Sequence, residues 1–238
     1  MIEVFFSKIS EVNDLQFIDK SYSMVSENCK SKAKCFRFEA DRLRTIIGEL
    51  LARYGICHCF GIDASKLSFN VSEFDKPYIV GIPYYFNISH SGDYIICGVS
   101  DINIGVDIEK MQDIDFGFAC DVFSDEEIRR ISLESAEKKK ELFFSIWTLK
   151  ESYVKWLGTG FHRKLSSYTV LPKGMHAEIL DPHSLYDIVP KLWTYTIGDY
   201  KISICSCDID FPVEFKHICP GQLIDKKYLT EFDLDTLS

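Results

Sequence analysis

The sequence predicts an α+β protein made of two similar halves, and three observations carry that prediction. Gly92-Asp93-Tyr94 opens an apolar run that ends near Asp101, and Gly198-Asp199-Tyr200 opens another that ends near Asp208. The amphipathic stretch Ile46–Tyr54 is matched by Thr148–Trp156, each with a Glu, a base four residues later and then an aromatic. Both repeats are offset by just over a hundred residues, a period too long for a solenoid and right for one half-domain. The join is expected near Asp101–Ile104, giving halves of residues 1–102 and 103–238.

The elements follow in order. Residues 2–7 alternate as a strand, 12–20 read as a helix and 26–34 as a short helical turn. A long helix is predicted from 36 to 59, then strands near 67–71, 77–80, 85–89 and 94–100. The second half opens with a strand at 103–109 and an acid-rich, mobile stretch at 110–117. Ser124 and Glu127 have capping-box spacing, so a helix starts there and runs into Lys138-Lys139-Lys140. A long helix over 140–157 stops at Gly158, a glycine suited to the left-handed residue after a helix. Strands near 167–171, 176–180, 192–197 and 200–208 complete the half, and the last thirty residues read as a tail over the core.

At 238 residues, 46% hydrophobic and 26% charged, the chain has the make-up of a soluble globular protein with an ample core. No apolar run nears the ~20 residues needed to span a bilayer. Met1–Lys8 lacks the basic start of a signal peptide. These features predict a cytoplasmic protein. The nine cysteines are scattered, with CxC spacing at Cys57/Cys59 and Cys205/Cys207, which matches neither a disulfide framework nor a zinc site. Cys57-His58-Cys59 reads as small buried thiols at the end of an apolar helix. A net charge of −9 argues against nucleic-acid binding.

The chemistry concentrates in two short strings. Gly105-Val106-Asp107-Ile108-Glu109 places two carboxylates at i and i+2, hence on one face of a strand. Trp147-Thr148-Leu149-Lys150-Glu151-Ser152 places a third on a helix, with Lys150 beside it and Lys155 one turn on. Asp-x-Glu also occurs on solvated sheet faces, and Glu151 with Lys155 is also an ordinary helix pair. Three carboxylates aimed at one point, with lysines nearby, would hold a hard divalent cation and a phosphate together. A third string, Phe86-Asn87-Ile88-Ser89-His90-Ser91-Gly92-Asp93, offers hydroxyls, an imidazole and backbone N–H groups to an anion at a strand end, or forms a polar turn.

Taken together, these three strings resemble the Sfp-type 4′-phosphopantetheinyl transferases. Arg44-Thr45-Ile46-Ile47-Gly48, with Leu51 and Arg53, looks like that family's first long helix, and Lys76-Pro77 looks like its Gly-Lys-Pro turn. The likeness runs in order from about residue 34 to 160 and more loosely to about 215. One departure is that Asp75 stands where the family has Gly. The resemblance implies a fold of two halves related by a pseudo-two-fold axis, with coenzyme A lying between them. It further implies transfer of 4′-phosphopantetheine to a serine of an apo acyl or peptidyl carrier protein, releasing 3′,5′-ADP. Asp107, Glu109 and Glu151 would ligate Mg²⁺, or Mn²⁺. Glu151 would be the general base, with Glu109 the alternative. Lys155 would steady the pyrophosphate with Lys150 as helper. Lys32, Arg44, Ser89 and His90 would grip the 3′-phosphate or adenosine end, with Thr45 and Lys76 lining that pocket.

Lys30, Lys32, Lys34, Arg37, Arg42 and Arg44 form the one early basic cluster. Since carrier proteins are usually acidic, their docking surface on this acidic chain must be locally apolar or basic, and the region of Phe116, Phe118 and Phe123 is the expected place. A monomer that binds no membrane is expected, serving peptide synthetases, polyketide synthases or fatty-acid synthesis. A different enzyme class fits the bare carboxylates, a Mg²⁺-dependent nucleotide or coenzyme pyrophosphohydrolase with water as nucleophile, whereas the presence of all three carboxylates counts against a non-enzymic coenzyme A-binding module.

Overall fold

A computed structural model describes residues 1–113, 119–159, 163–184 and 188–225. The chain divides into two compact units, Met1–Asp101 with the chain from Pro212 on, and Ile102–Phe211.

The first unit runs β1 (Ile2–Lys8), a 3₁₀ turn Ile9–Glu11, α1 (Phe17–Tyr22), α2 (Glu27–Cys35), α3 (Glu39–Phe60), β2 (Phe69–Val71), β3 (Pro77–Ile79), β4 (Tyr85–Ser91) and β5 (Tyr94–Ser100). Of the helix expected over 12–20 only its end forms, as α1, and residues 12–16 are non-helical. β5 pairs antiparallel with both β1 and β4, and the β4–β5 hairpin turns at Gly92, whose φ of 55° is left-handed. The 22-residue α3 lies on this sheet. Its glycines allow a close fit: a Cβ on Gly48 would lie 3.0 Å from Ile88, and one on Gly55 2.7 Å from Val99 and 3.0 Å from Phe5. The seam is apolar, with Phe5, Ile46, Ile47, Leu51, Ile56 and Ile95 fully buried.

The second unit runs β6 (Ile104–Lys110), α4 (Ala119–Val122), α5 (Asp125–Leu133), α6 (Ala136–Leu157), β7 (Thr169–Lys173), β8 (His176–Leu180), β9 (Lys191–Ile197) and β10 (Tyr200–Ser206). Its sheet is antiparallel, in the order β6-β10-β9-β8-β7. The capping box at Ser124 and Glu127 forms as its spacing predicts. The helix it starts does not continue to the lysines. Glu134 and Ser135 are extended, with ψ of 156° and 159°, so α5 ends and α6 begins at Ala136, four residues before the predicted start. α6 ends, as predicted, at a left-handed Gly158.

The internal repeat is a real topological one. In each unit a first strand pairs antiparallel with the second strand of a hairpin, β1 with β5 and β6 with β10. Each hairpin turns at a left-handed glycine, Gly92 or Gly198. Each unit has a 22-residue helix closed by a left-handed glycine, Gly61 or Gly158.

The tail corrects the sequence expectation. Assigned there to the second half, it instead returns to the first unit as β11 (Lys216–His217) and α7 (Pro220–Leu223). β11 runs parallel to β1, Ile218 donates its N–H to Phe6, and Ile218 and Leu223 are buried in the first unit's core. Their apolar side chains find cover there, which decides the attachment. Among the described residues, no helix is long and apolar enough to cross a membrane.

Candidate active site

Gly105, Asp107 and Glu109 alternate onto one face of β6, and α6 packs on that face. Gly105 makes the approach possible. A Cβ there would lie 2.0 Å from the Ser152 carbonyl and 2.5 Å from the Trp156 nitrogen, both backbone atoms of α6. With only hydrogen at that point, the helix settles onto the strand, and Glu151 and Lys155, one turn apart, come down beside Asp107. A lone glycine in a strand is the sequence sign of such an approach.

Lys155 Nζ donates to Asp107 Oδ1 at 2.7 Å and to the Val106 carbonyl at 3.1 Å. Asp107 is buried. The carboxyl of Glu151 is pushed up to about 7, first by burial, then by the negative charge of Asp107, with Glu109 adding to the rise and Lys155 opposing it. The strand and the helix therefore bring the three predicted carboxylates within one another's fields, with one lysine among them. This donor set is all oxygen, without thiolate or imidazole, and fits Mg²⁺ or Mn²⁺ better than Zn²⁺.

The floor of the site comes from β10, which the sequence reading did not single out. Ser203 is the cross-strand partner of Asp107, and its hydroxyl shares a 2.7 Å hydrogen bond with Thr148 of α6. Lys201 is the cross-strand partner of Glu109 and donates to Glu141 at 2.8 Å and to Thr196 at 2.7 Å while buried. A lysine inside the apolar run Tyr200–Ser206 was the available signal.

Lys150 is a correction. It is fully buried and pairs with Glu127 at 2.9 Å. It also donates to the Leu165 and Tyr168 carbonyls at 2.9 and 2.7 Å and lies over the Tyr168 ring. Its three N–H groups are thereby committed, leaving none for a pyrophosphate. Burial lowers its basicity and raises Glu127's carboxyl, while each partner opposes the other's shift. Glu127 also accepts from the Val170 and Ser124 nitrogens, so this pair ties α5 and α6 to β7.

In the first unit, Arg44 clamps the β4–β5 turn. Its Nε and Nη2 donate to the Gly92 carbonyl at 3.0 and 2.6 Å, and Nη1 pairs with Asp41 at 2.7 Å. Thr45 bonds back to the Asp41 carbonyl. On β4, Ile88 packs against Gly48 of α3, and alternation puts the exposed His90 on that same side, toward Arg44's end of the helix. The buried Ser89 points to the opposite face. The side chains of Ser89 and His90 therefore do not converge, and of the two only His90 shares a face with Arg44.

Lys76 sits in the β2–β3 hairpin and Lys32 on the exposed face of α2. Asp75, standing where the family has Gly, takes the left-handed conformation itself, with φ of 58°, and Ser72 brackets the turn by bonding Asp75 and Lys76. Of the apolar trio expected to meet a carrier, Phe123 is buried against Phe143 and cannot serve, because its ring completes a core cluster. Phe116 and Phe118 lie outside the described residues.

Two family models match in succession: "4′-phosphopantetheinyl transferase, N-terminal" over residues 14–101 and "4′-phosphopantetheinyl transferase superfamily" over residues 103–205. Curated relatives include a 4′-phosphopantetheinyl transferase of Bacillus subtilis, 34% identical over 81% of this chain and 87% of its own length. The 4′-phosphopantetheinyl transferase Sfp of Bacillus subtilis strain 168 is 30% identical over 87% of this chain and 92% of its own. The 4′-phosphopantetheinyl transferase psf-1 of Bacillus pumilus is 31% identical over 83% and 85%.

Proposed function

The chain belongs to the 4′-phosphopantetheinyl transferase family, and we propose that it moves 4′-phosphopantetheine from coenzyme A to a serine hydroxyl of an apo carrier protein in a Mg²⁺-dependent reaction. The carrying observation is the crowding at Glu151: a half-buried carboxyl pushed up to about 7 beside Asp107 and Glu109. Three carboxylates gathered around one lysine favour a cation, and Asp107, Glu109 and Glu151 would hold Mg²⁺. Bound there, it supplies positive charge to the pyrophosphate oxygens.

The residues then divide the work. The serine Oγ attacks the phosphorus attached to pantetheine, its proton goes to Glu151, and the pyrophosphate bond breaks to leave 3′,5′-ADP. A carboxylate beside the incoming hydroxyl is suited to take that proton. Lys155, held on Asp107, steadies charge at the breaking bond. His90 and Arg44 take the 3′-phosphate, with Thr45, Lys76, Lys32 and the Ser89 backbone around the adenosine end. The reading is of a cytoplasmic monomer.

The test incubates purified protein, an apo peptidyl carrier, coenzyme A and Mg²⁺, and weighs the carrier. A gain of one phosphopantetheine supports the reading. An unchanged carrier with 3′,5′-ADP released even in its absence would make the protein a pyrophosphohydrolase instead.

A further inference from the structure

The two ends of the first unit bring together a second set of ligand-type side chains that the transfer chemistry does not use. Glu11 closes the 3₁₀ turn after β1, His217 sits on β11, and Cys219 precedes α7. One donor atom from each, a carboxylate oxygen, an imidazole nitrogen and a thiol sulfur, lies within 4.8 Å of the other two. From this geometry we infer a Zn²⁺ site formed by Glu11, His217 and Cys219, with water in the fourth position, that fastens the returning tail to the first strand.

The chemistry distinguishes this site from the carboxylates of the second unit. Oxygen, nitrogen and sulfur together suit a borderline cation of tetrahedral habit, at bond lengths of about 2.0–2.3 Å. A thiolate and a carboxylate balance the two charges of Zn²⁺. The ligands are also oriented. The His217 ring stacks on Phe6 with centroids 4.9 Å apart, and its Nε2 already meets Glu11 at 2.7 Å. The Cys219 backbone is fixed by Gln222, whose side chain accepts from its N–H at 2.9 Å. All three side chains reach solvent, so the metal has a way in, and rotation of exposed side chains can open the Glu11–His217 bond to admit it.

The location gives the site a purpose. β11 is two residues long and α7 four, so the tail has little regular structure of its own to hold it against β1. A bond network linking residues 206 positions apart would hold it firmly.

The full chain, reduced and freed of metal, would be titrated with Co²⁺ in excess Mg²⁺, then with Zn²⁺ against a chromophoric chelator. One equivalent of Co²⁺ should produce a thiolate-to-cobalt charge-transfer band, which oxygen ligands cannot give. Cys219→Ser should abolish it, while Cys35→Ser and Cys207→Ser keep it. Zn²⁺ should bind at one equivalent, at least tenfold more weakly after His217→Ala or Glu11→Gln, and raise the urea midpoint of the parent but not of Cys219→Ser. No band, a band that survives Cys219→Ser, or unchanged Zn²⁺ affinity in His217→Ala would overturn the assignment. These readouts are independent of phosphopantetheine transfer.

Discussion

Glu49 of α3 and Glu151 of α6 hold matching places in the internal repeat, each followed one turn later by a base, yet their surroundings differ. Glu49 accepts from the Ser26 nitrogen and hydroxyl at 2.7 and 2.6 Å and from Arg53 at 2.7 Å. Its negative charge is fully answered, and it fastens the start of α2 to α3. Glu151's neighbours include two more carboxylates, and its helix-mate Lys155 bonds Asp107. The seams differ in the same sense. α3 meets its sheet through glycines on the helix facing Ile88, Val99 and Phe5, whereas α6 meets β6 through a glycine on the strand flanked by Asp107. One scaffold thus serves as a sealed apolar core and as a charged site, and what separates them is that Glu49 has Arg53 beside it whereas Asp107 and Glu151 crowd on Lys155.

The strongest way to break that contrast is Asp107→Ala. Transfer should fall by roughly a thousand-fold or more, because the proposed function makes Asp107 a charged ligand of the cation that neutralises the pyrophosphate. Far-UV circular dichroism should stay unchanged. Retained turnover with the same Mg²⁺ dependence would show that the second unit's carboxylates are no more functional than Glu49.

Lys150 sharpens the contrast within α6 itself. Lys150→Met leaves Glu127 buried without its cation and should cost about 3 kcal/mol in urea unfolding. Adding Glu127→Leu should recover most of the loss. A raised KM for coenzyme A at undiminished stability would instead return Lys150 to the substrate.

In the first unit, His90→Ala should weaken coenzyme A by about 1.5–3 kcal/mol, roughly 10- to 150-fold, and dephospho-coenzyme A hardly at all. Calorimetry with both ligands decides this, and equal losses would leave His90 as part of the turn.

The smallest effect is a pH dependence. In the folded protein Glu151 sits near 7, above its ordinary 4.5, so its favourable contribution is present below 4.5 and is lost as pH rises through about 7. With chelator present, the parent should lose stability relative to Glu151→Gln between pH 5 and 8. Parallel urea midpoints across that range would remove the crowding argument.

Much of this protein was legible in the sequence because the signals are local. The Gly-Asp-Tyr turns, the capping box at Ser124, the glycine ending α6 and the Asp-x-Glu spacing each depend on residues a few positions apart, where backbone sterics and strand alternation leave little choice. Tertiary structure decided whatever depends on partners far away in the chain. Lys150 and Lys155 look alike one turn apart on α6, but only packing delivers the first to Glu127 and the second to Asp107. Ser89 and His90 are neighbours in sequence and opposite in space. The tail reads as part of the second half, yet Ile218 and Leu223 find apolar cover only in the first. Glu11, His217 and Cys219 show no pattern along the chain, because side-chain chemistry is combined by contact and the contact is made only when β11 returns to β1.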